Sequence, residues 1–274
     1  MLSINTNYGA MVALQTLNST SDQLKEVQNR ISTGLKVNGP KDNGAIYAIA
    51  QGMRSDVQAF NSVNNSLNRT ISVVDTGVAA GQAVSELLKE MKEKALAAKD
   101  GAIDANARAA YSAEFVALRD QIATTLANAN FDGSNVVNGT NTNIQALANS
   151  DGTSFITATG RDLSLGGAIV TVGAASDIDT VAEASTMIAT IASSLDALGL
   201  ALAQLGTDSK KLGVHKNFIA TLSSELQNGI GNLVDADVAT ESARLQSLQT
   251  KQQLGVQALS IANQAPTVLL SLFR

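Results

Sequence analysis

The chain has 274 residues, a net charge of −5 and no cysteine, and only 3% of its residues are aromatic. The absence of cysteine excludes a disulfide framework and a thiolate metal site. No Lys/Arg cluster appears that would build the basic face of a nucleic-acid-binding protein. The most apolar stretch, residues 187–206, is interrupted by Asp196 and several Ser, Thr and Gly residues, so membrane insertion is not expected.

The first predicted element is an amphipathic helix within residues 3–35. Thr6 or Asn7 can cap its start, and Gly34 can end it in a left-handed turn. Its apolar residues recur at helical spacing and form one stripe. The stripe consists of Leu14, Leu17, Leu24, Val27 and Ile31. A helix with such a stripe needs a partner.

A turn-rich joint at residues 35–45 precedes a long helical pattern. Gly39-Pro40 lies in the joint, and apolar residues then step by threes and fours from about residue 45 to residue 99. A shorter helix is predicted at 106–129. Residues 130–177 are rich in Gly, Asn, Thr and Ser, and the short runs Thr153–Thr159 and Ala168–Val172 indicate one or two β-hairpins.

A heptad pattern marks the next helix, predicted from about residue 178 to residue 231. Its main row consists of Ile191, Leu198, Leu205, Leu212, Ile219, Leu226 and Leu233. A second row consists of Ile188, Leu195 and Leu202. Such a row predicts a coiled-coil seam. Because this helix matches the helix at 45–99 in length, the two are expected to run side by side in a rod.

The last predicted helix begins near Asp235 and Asp237, whose carboxylates can cap its first turn. Its apolar residues continue to the end of the chain, so it can cover the stripe of the first helix. The predicted fold is therefore mainly α: an elongated antiparallel helical bundle or coiled coil, with a small β-hairpin region and paired N- and C-terminal helices.

Three features weigh against an enzyme. Gly34–Lys41 superficially resembles a phosphate-binding loop, but Pro40 stands where that loop needs Lys. His215 is the only histidine, and the sequence has no second His and no Cys that could bind a metal ion with it. The spacing of Asp235 and Asp237 completes no Ca²⁺ loop. No catalytic, cofactor-binding or metal-binding residue is therefore predicted.

Three segments closely resemble bacterial flagellin, the subunit of the flagellar filament. They are Ile4–Asn18, Arg30–Ala50 and Asn232–Arg274. The resemblance implies a short form without large outer domains. Residues 1–44 and 232–274 would form the inner filament core, and 45–231 an outer rod with a hairpin insert at about 130–177. The alternative is a hook–filament junction protein, or a related coiled-coil binding or adhesion protein, that shares these terminal helices.

The implied polymerisation interface lies on the two terminal helices. Its predicted residues are Leu14, Leu17, Leu24, Ile31, Leu245, Leu248, Leu259, Leu269, Leu270 and Phe273. Both helices carry narrow stripes, so they are expected to be largely disordered in the monomer and to fold on assembly. The hairpin tip, about residues 140–153, is expected to be dispensable for assembly.

The resemblance also implies partners and a location. The partners are further copies of the chain, the flagellar export apparatus, an export chaperone, and the hook–filament junction and cap proteins. The location is the extracellular filament. No cleaved signal is expected, because the first basic residue is Lys25. Many flagellins carry an Arg-containing pattern that an innate immune receptor reads; here Glu90 replaces its first Arg, so recognition is not expected.

Overall fold

The structure is a computed structural model that describes residues 6–141 and 143–272, with side chains described through residue 264. Within these residues it contains five helices and one two-stranded sheet. In chain order they are α1 (Tyr8–Thr33), α2 (Gly44–Ala98), α3 (Ala105–Asn128), β1 (Asn143–Leu147), β2 (Phe155–Thr159), α4 (Val181–Val234) and α5 (Val238–Leu272). The predicted mainly α fold with a small hairpin is confirmed.

The chain divides into two compact units. The terminal unit comprises residues 1–55 and 225–274, and the central unit comprises residues 56–224. Helices α2 and α4 contribute to both units. The assignment of an inner and an outer filament domain concerns roles in the filament and remains a prediction.

Side chains cap the helices that the sequence marked. The Asn7 Oδ1 accepts a hydrogen bond from the Ala10 N–H at 3.1 Å, and Gly34 ends α1 with a φ of 70°. The Asp237 Oδ1 accepts the Ala239 N–H at 2.9 Å and opens α5. Asp235 is not the cap of α5. It lies three residues before the helix, and its backbone forms an antiparallel bridge with Leu35, which follows α1.

The predicted β-hairpin region is confirmed as one hairpin, but only one of the two predicted runs is a strand. Strands β1 and β2 are antiparallel, with Asn143 paired to Thr159 and Leu147 to Phe155, and β2 lies within the predicted run 153–159. The run Ala168–Val172 is not a strand. Its Val170 and Val172 are fully buried and the Thr171 N–H donates to the Ser194 Oγ at 3.0 Å, so it packs on α4 without a strand partner.

The heptad row of α4 forms part of the core of the central unit. Its first five members are fully buried: Ile191, Leu198, Leu205, Leu212 and Ile219. The second row, Ile188, Leu195 and Leu202, is half-buried. A Cβ on Gly81 of α2 would lie only 2.6 Å from the Leu202 Cδ2, so glycine permits this close packing.

Helix α4 is also long and apolar enough to cross a membrane by length and composition alone, with a mean hydropathy of 1.6 over its best window. The search covers the described residues. The first five members of its heptad row are buried within the central unit, as in a core helix of a soluble protein. The absence of membrane insertion remains a prediction.

Candidate assembly surface

Helices α1 and α5 pack against each other along one seam, here called the terminal seam. The buried and half-buried positions of both helices recur at steps of three and four residues. On α1 these are Ala10, Ala13, Leu17, Thr20, Leu24, Val27 and Ile31. On α5 they are Glu241, Leu245, Leu248, Gln252, Gly255, Leu259 and Ala262. The spacing is that of an antiparallel two-helix coiled coil.

The best-packed part of the seam is a small apolar cluster. Leu24 and Val27 of α1 are buried against Leu248 of α5, and Ile31 and Leu245 pack at its edge. Burying a leucine or valine side chain stabilises a fold by about 1.5–3 kcal/mol. This cluster therefore supplies most of the apolar stabilisation within the pair.

Farther along the seam, polar groups and small residues take over. The Gln252 Nε2 donates to the Ser21 Oγ at 3.4 Å, and the Asn7 Nδ2 donates to the Ala262 carbonyl at 2.6 Å. Gly255 lets Leu17 approach closely, since a Cβ there would lie 3.3 Å from the Leu17 Cδ1. These contacts set the register of the pair more than they stabilise it.

An ion pair connects the two helices beside the apolar cluster. The Arg30 Nη1 lies 3.0 Å from the Glu241 Oε1, and Arg30 also contacts Glu26 of its own helix. Glu241 is only 8% exposed. Because desolvation offsets much of the attraction in a buried ion pair, this contact mainly specifies how the helices align.

The linkers next to the seam are paired as well. Leu35 and Asp235 form an antiparallel bridge, the Lys36 N–H donates to the Val234 carbonyl at 2.6 Å, and the Ala236 N–H donates to the Gly34 carbonyl at 2.8 Å. Val37, Ala50 and Val234 form a second buried cluster below this bridge. The start of α5 is thereby held next to the end of α1.

Large apolar side chains outside the seam face solvent. They are between 44% and 79% exposed. On α1 they are Tyr8, Met11, Val12 and Leu14, and on α5 they are Val238, Leu254, Val256 and Ile261. Exposed apolar side chains concentrated on two neighbouring helices are typical of a protein–protein interaction surface. We call these eight residues the outer apolar face.

The structure separates the predicted interface residues into two groups. Six of them lie in the seam: Leu17, Leu24, Ile31, Leu245, Leu248 and Leu259. Leu14 lies on the outer apolar face. The side chains of Leu269 and Leu270, and Phe273 as a whole, lie outside the described residues. Their role in polymerisation remains a prediction.

Sequence reasoning missed the small and polar members of the seam. Thr20, Gln252 and Gly255 continue the three-four spacing, but a search for large apolar residues passes over them. It also missed Leu254 and Ile261, which are seven residues apart on the exposed side of α5. Their seven-residue spacing could have predicted a second apolar row on the same helix.

The remaining ionisable groups suit structural roles. Hydrogen bonds from the Thr240 hydroxyl, and then from the Thr240 and Ala239 N–H groups, lower the pKa of Asp237. A hydrogen bond to Glu114 raises the pKa of Lys94. The His215 Nε2 lies 2.9 Å from the Ala148 carbonyl, which ties the hairpin to α4. Within the described residues there is no cluster of His, Asp and Glu that could hold a metal ion.

Comparison with known proteins identifies the family of this chain. Residues 4–142 match the model of the bacterial flagellin N-terminal helical region, and residues 178–273 match that of the C-terminal helical region. The flagellin FljM of Caulobacter vibrioides is 51% identical over 272 residues, covering 99% of this chain and 98% of the relative. The chain belongs to the bacterial flagellin family. A flagellin of Brucella melitensis is 36% identical over the full length of both chains.

Solved structures support the fold. A crystal structure of Bacillus cereus flagellin matches with a TM-score of 0.50 and 22% identity, covering 56% of this chain and 88% of that one. A flagellar hook-associated protein from Vibrio parahaemolyticus matches with a TM-score of 0.57 and 14% identity, covering 71% of this chain and 100% of that one. At these identities the likeness concerns the fold alone.

Family membership establishes the general function. This flagellin is a structural subunit that polymerises with itself into the extracellular filament of the bacterial flagellum, which serves motility. Its length matches that of the Caulobacter relatives almost from end to end, which is consistent with a short form.

Proposed function

We propose that the terminal unit is the polymerising part of this flagellin and that neighbouring subunits cover its outer apolar face. The observation that carries this proposal is the pairing of a narrow seam with eight exposed large apolar residues on the same two helices. In this assignment residues 1–44 and 232–274 form the inner filament core. Residues 45–231 form the outer domain, with the hairpin region at about 130–177 as an insert.

The two groups of interface residues have different roles in this proposal. Leu24, Leu248 and the other seam residues hold α1 and α5 together, while Leu14, Leu254 and Ile261 contact neighbouring subunits. Burying an exposed leucine or isoleucine in the filament stabilises it by about 1.5–3 kcal/mol per side chain. That gain offsets the conformational entropy lost when the terminal helices are ordered. The proposal also includes Leu269, Leu270 and Phe273 as polymerisation contacts, although their side chains lie outside the described residues.

We infer a purely structural role, without catalysis. The membership of the chain in a structural family supports this. His215 is engaged with the Ala148 carbonyl, and the described residues include no group of His, Asp and Glu that could hold a catalytic metal ion.

The proposed partners before and during assembly are the flagellar export apparatus, an export chaperone, and the cap and hook–filament junction proteins. The outer apolar face of α5 suits a chaperone, since covering Leu254 and Ile261 would prevent premature polymerisation. We also propose export without a cleaved signal peptide. Helix α1 packs from Asn7 onward against α5, so this segment belongs to the working subunit.

The experiment that tests the proposal substitutes one residue of the outer apolar face. Leu254→Asp should raise the critical concentration for polymerisation at least tenfold, because burying an unpaired carboxylate costs several kcal/mol. Gln253→Asp is the matched control, since it adds the same charge at an exposed polar position. Sedimentation and electron microscopy would measure assembly, and circular dichroism would show whether the monomer is unchanged.

Normal polymerisation of Leu254→Asp would remove the outer apolar face from the proposed contacts. Equal loss in both variants would mean that charge on α5, rather than apolar burial, limits assembly.

A further inference from the structure

The four methionines among the described residues differ in their access to solvent. Met91 of α2 is fully buried, and Met53 and Met187 are half-buried. The methyl group of Met53 packs over Gly229, where a Cβ would lie 2.9 Å from the Met53 Cε. Met11 of α1 is 62% exposed. A dissolved reagent therefore reaches the sulfur of Met11 more easily than that of the other three.

Met11 lies in the middle of the part of the outer apolar face that α1 contributes. Tyr8 and Leu14 lie three residues before and after it, so they are its neighbours on the helix surface. Both are exposed, as is Val12. None of these four side chains belongs to the terminal seam. A change in polarity at Met11 therefore alters the apolar surface rather than the packing of α1 on α5.

The thioether of Met11 can be oxidised without help from another group of the protein. A lone pair of its sulfur attacks one oxygen of hydrogen peroxide, and the O–O bond breaks as the S–O bond forms. The second oxygen leaves as hydroxide, takes the proton of the first and becomes water. The sulfur loses two electrons and the peroxide gains them. The product, methionine sulfoxide, is polar where the thioether was apolar.

We propose that Met11 is a modification site at which oxidation by a hydroperoxide controls polymerisation. The proposal rests on the proposed function, since it requires that neighbouring subunits cover the outer apolar face. A sulfoxide at Met11 would then be buried among apolar side chains, which makes the contact less favourable. Methionine sulfoxide reductases reduce the sulfoxide back to the thioether, so the change is reversible. The site acts as a redox switch on assembly.

The switch acts on the monomer rather than on the finished filament. In the monomer the Met11 sulfur is accessible on helical α1, and it is also accessible if α1 is disordered, as its narrow stripe leads us to expect. In the filament the neighbouring subunits cover it. Oxidation would therefore stop the addition of new subunits and leave existing filaments intact.

Treatment of the monomer and the filament with hydrogen peroxide tests the proposal, with mass spectrometry following each methionine. In the monomer Met11 should be oxidised at least about tenfold faster than Met91, and assembly should slow its oxidation by a similar factor. Monomer fully converted at Met11 should have an about tenfold higher critical concentration for polymerisation, as expected for burying one unpartnered polar group. A methionine sulfoxide reductase should restore the original value.

Three variants separate Met11 from the other methionines. Met11→Leu keeps an apolar side chain of similar size, so it should polymerise normally before and after peroxide. Met187→Leu is the matched control, because it removes a half-buried methionine of the central unit and should remain sensitive to peroxide. Met11→Gln replaces the thioether permanently by a polar group of similar length, so it should raise the critical concentration without peroxide.

The proposal is overturned if wild type oxidised at Met11 polymerises at the original critical concentration, or if peroxide stops Met11→Leu as it stops the wild type. Equal oxidation rates of Met11 in monomer and filament would also overturn it. Leu254→Asp distinguishes this failure from failure of the proposed function. If Leu254→Asp blocks assembly while oxidation of Met11 does not, only the switch is wrong. If neither change affects assembly, the proposed function fails as well.

Discussion

The two helical seams of this flagellin differ in the side chains that form them. The heptad row of α4 in the central unit uses Leu and Ile at successive positions, and all five from Ile191 to Ile219 are fully buried. The terminal seam has one such cluster, around Leu24 and Leu248, and continues with Ala, Thr, Gln and Gly and with half-buried Leu17 and Leu259. The central seam is buried by packing within its own unit. Among the described residues the terminal unit leaves nine large apolar side chains exposed, eight of them on α1 and α5, whereas the larger central unit leaves seven.

Under the proposed function, this difference separates a part of the subunit that is stable by itself from a part that neighbouring subunits complete. Ordering a residue costs about 1–2 kcal/mol of backbone entropy, so a seam with few large side chains is marginal in water. The central seam should therefore determine the stability of the monomer. The terminal seam should determine the stability of the filament.

The largest effect should come from breaking the central seam. Leu212→Asp places an unpaired carboxylate at a fully buried position, which costs about 3–5 kcal/mol. The melting temperature of the monomer should fall by roughly 10 °C, as measured by calorimetry. Val214→Asp is the control on the same helix, because Val214 is exposed and its substitution should leave the transition nearly unchanged. Equal shifts in both variants would show that the heptad row is not the core of this unit.

An intermediate effect is expected in the terminal seam. Leu248→Ala removes the buried leucine of α5, a change that costs about 2–5 kcal/mol where the seam is formed. The critical concentration for polymerisation should rise at least tenfold while the monomer melts as before. Ser247→Ala, at the exposed neighbouring position, should change neither value. A lower melting temperature of the Leu248→Ala monomer would show that the terminal seam already stabilises the monomer and would contradict this prediction.

The smallest effect concerns the cap of α5. The pKa of Asp237 is lowered by its hydrogen bonds to Thr240 and Ala239, so the cap stabilises the folded state above about pH 4 and is lost as the pH falls through the lowered pKa. The protection of the amides of residues 238–241 in the filament, relative to their intrinsic exchange rate at each pH, should therefore fall below pH 4. Asp237→Asn, which keeps an acceptor without a titrating group, should remove this pH dependence. Unchanged exchange in the wild type would mean that the cap does not act through its charge.

The sequence predicted the helices well because their apolar spacing and caps are local signals. Asn7, Gly34 and Asp237 perform the predicted roles, and the predicted helix bounds are correct to within a few residues. Strand β1 was missed because Asn143 and Gln145 are poor indicators of a strand, and its Ala146 is buried only through tertiary packing.

The same packing revises one expectation about the hairpin. Deleting residues 140–153 would remove the whole of β1, including fully buried Ala146 and the Leu147 N–H that donates to the Ser66 Oγ at 3.1 Å. The segment is therefore not a free tip. Only the turn at residues 149–153 lies beyond the paired strands, so a harmless deletion should be confined to it.

Amide exchange on the wild-type monomer and filament tests the central contrast most directly. The account predicts fast exchange and rapid proteolysis of α1 and α5 in the monomer, with a resistant core of about residues 45–230, and protection of both helices in the filament. Leu17, Leu24 and Leu248 in the seam should change most between the two states. Slow exchange of these residues in a verified monomer would show that the terminal seam is stable without neighbours and would contradict the account.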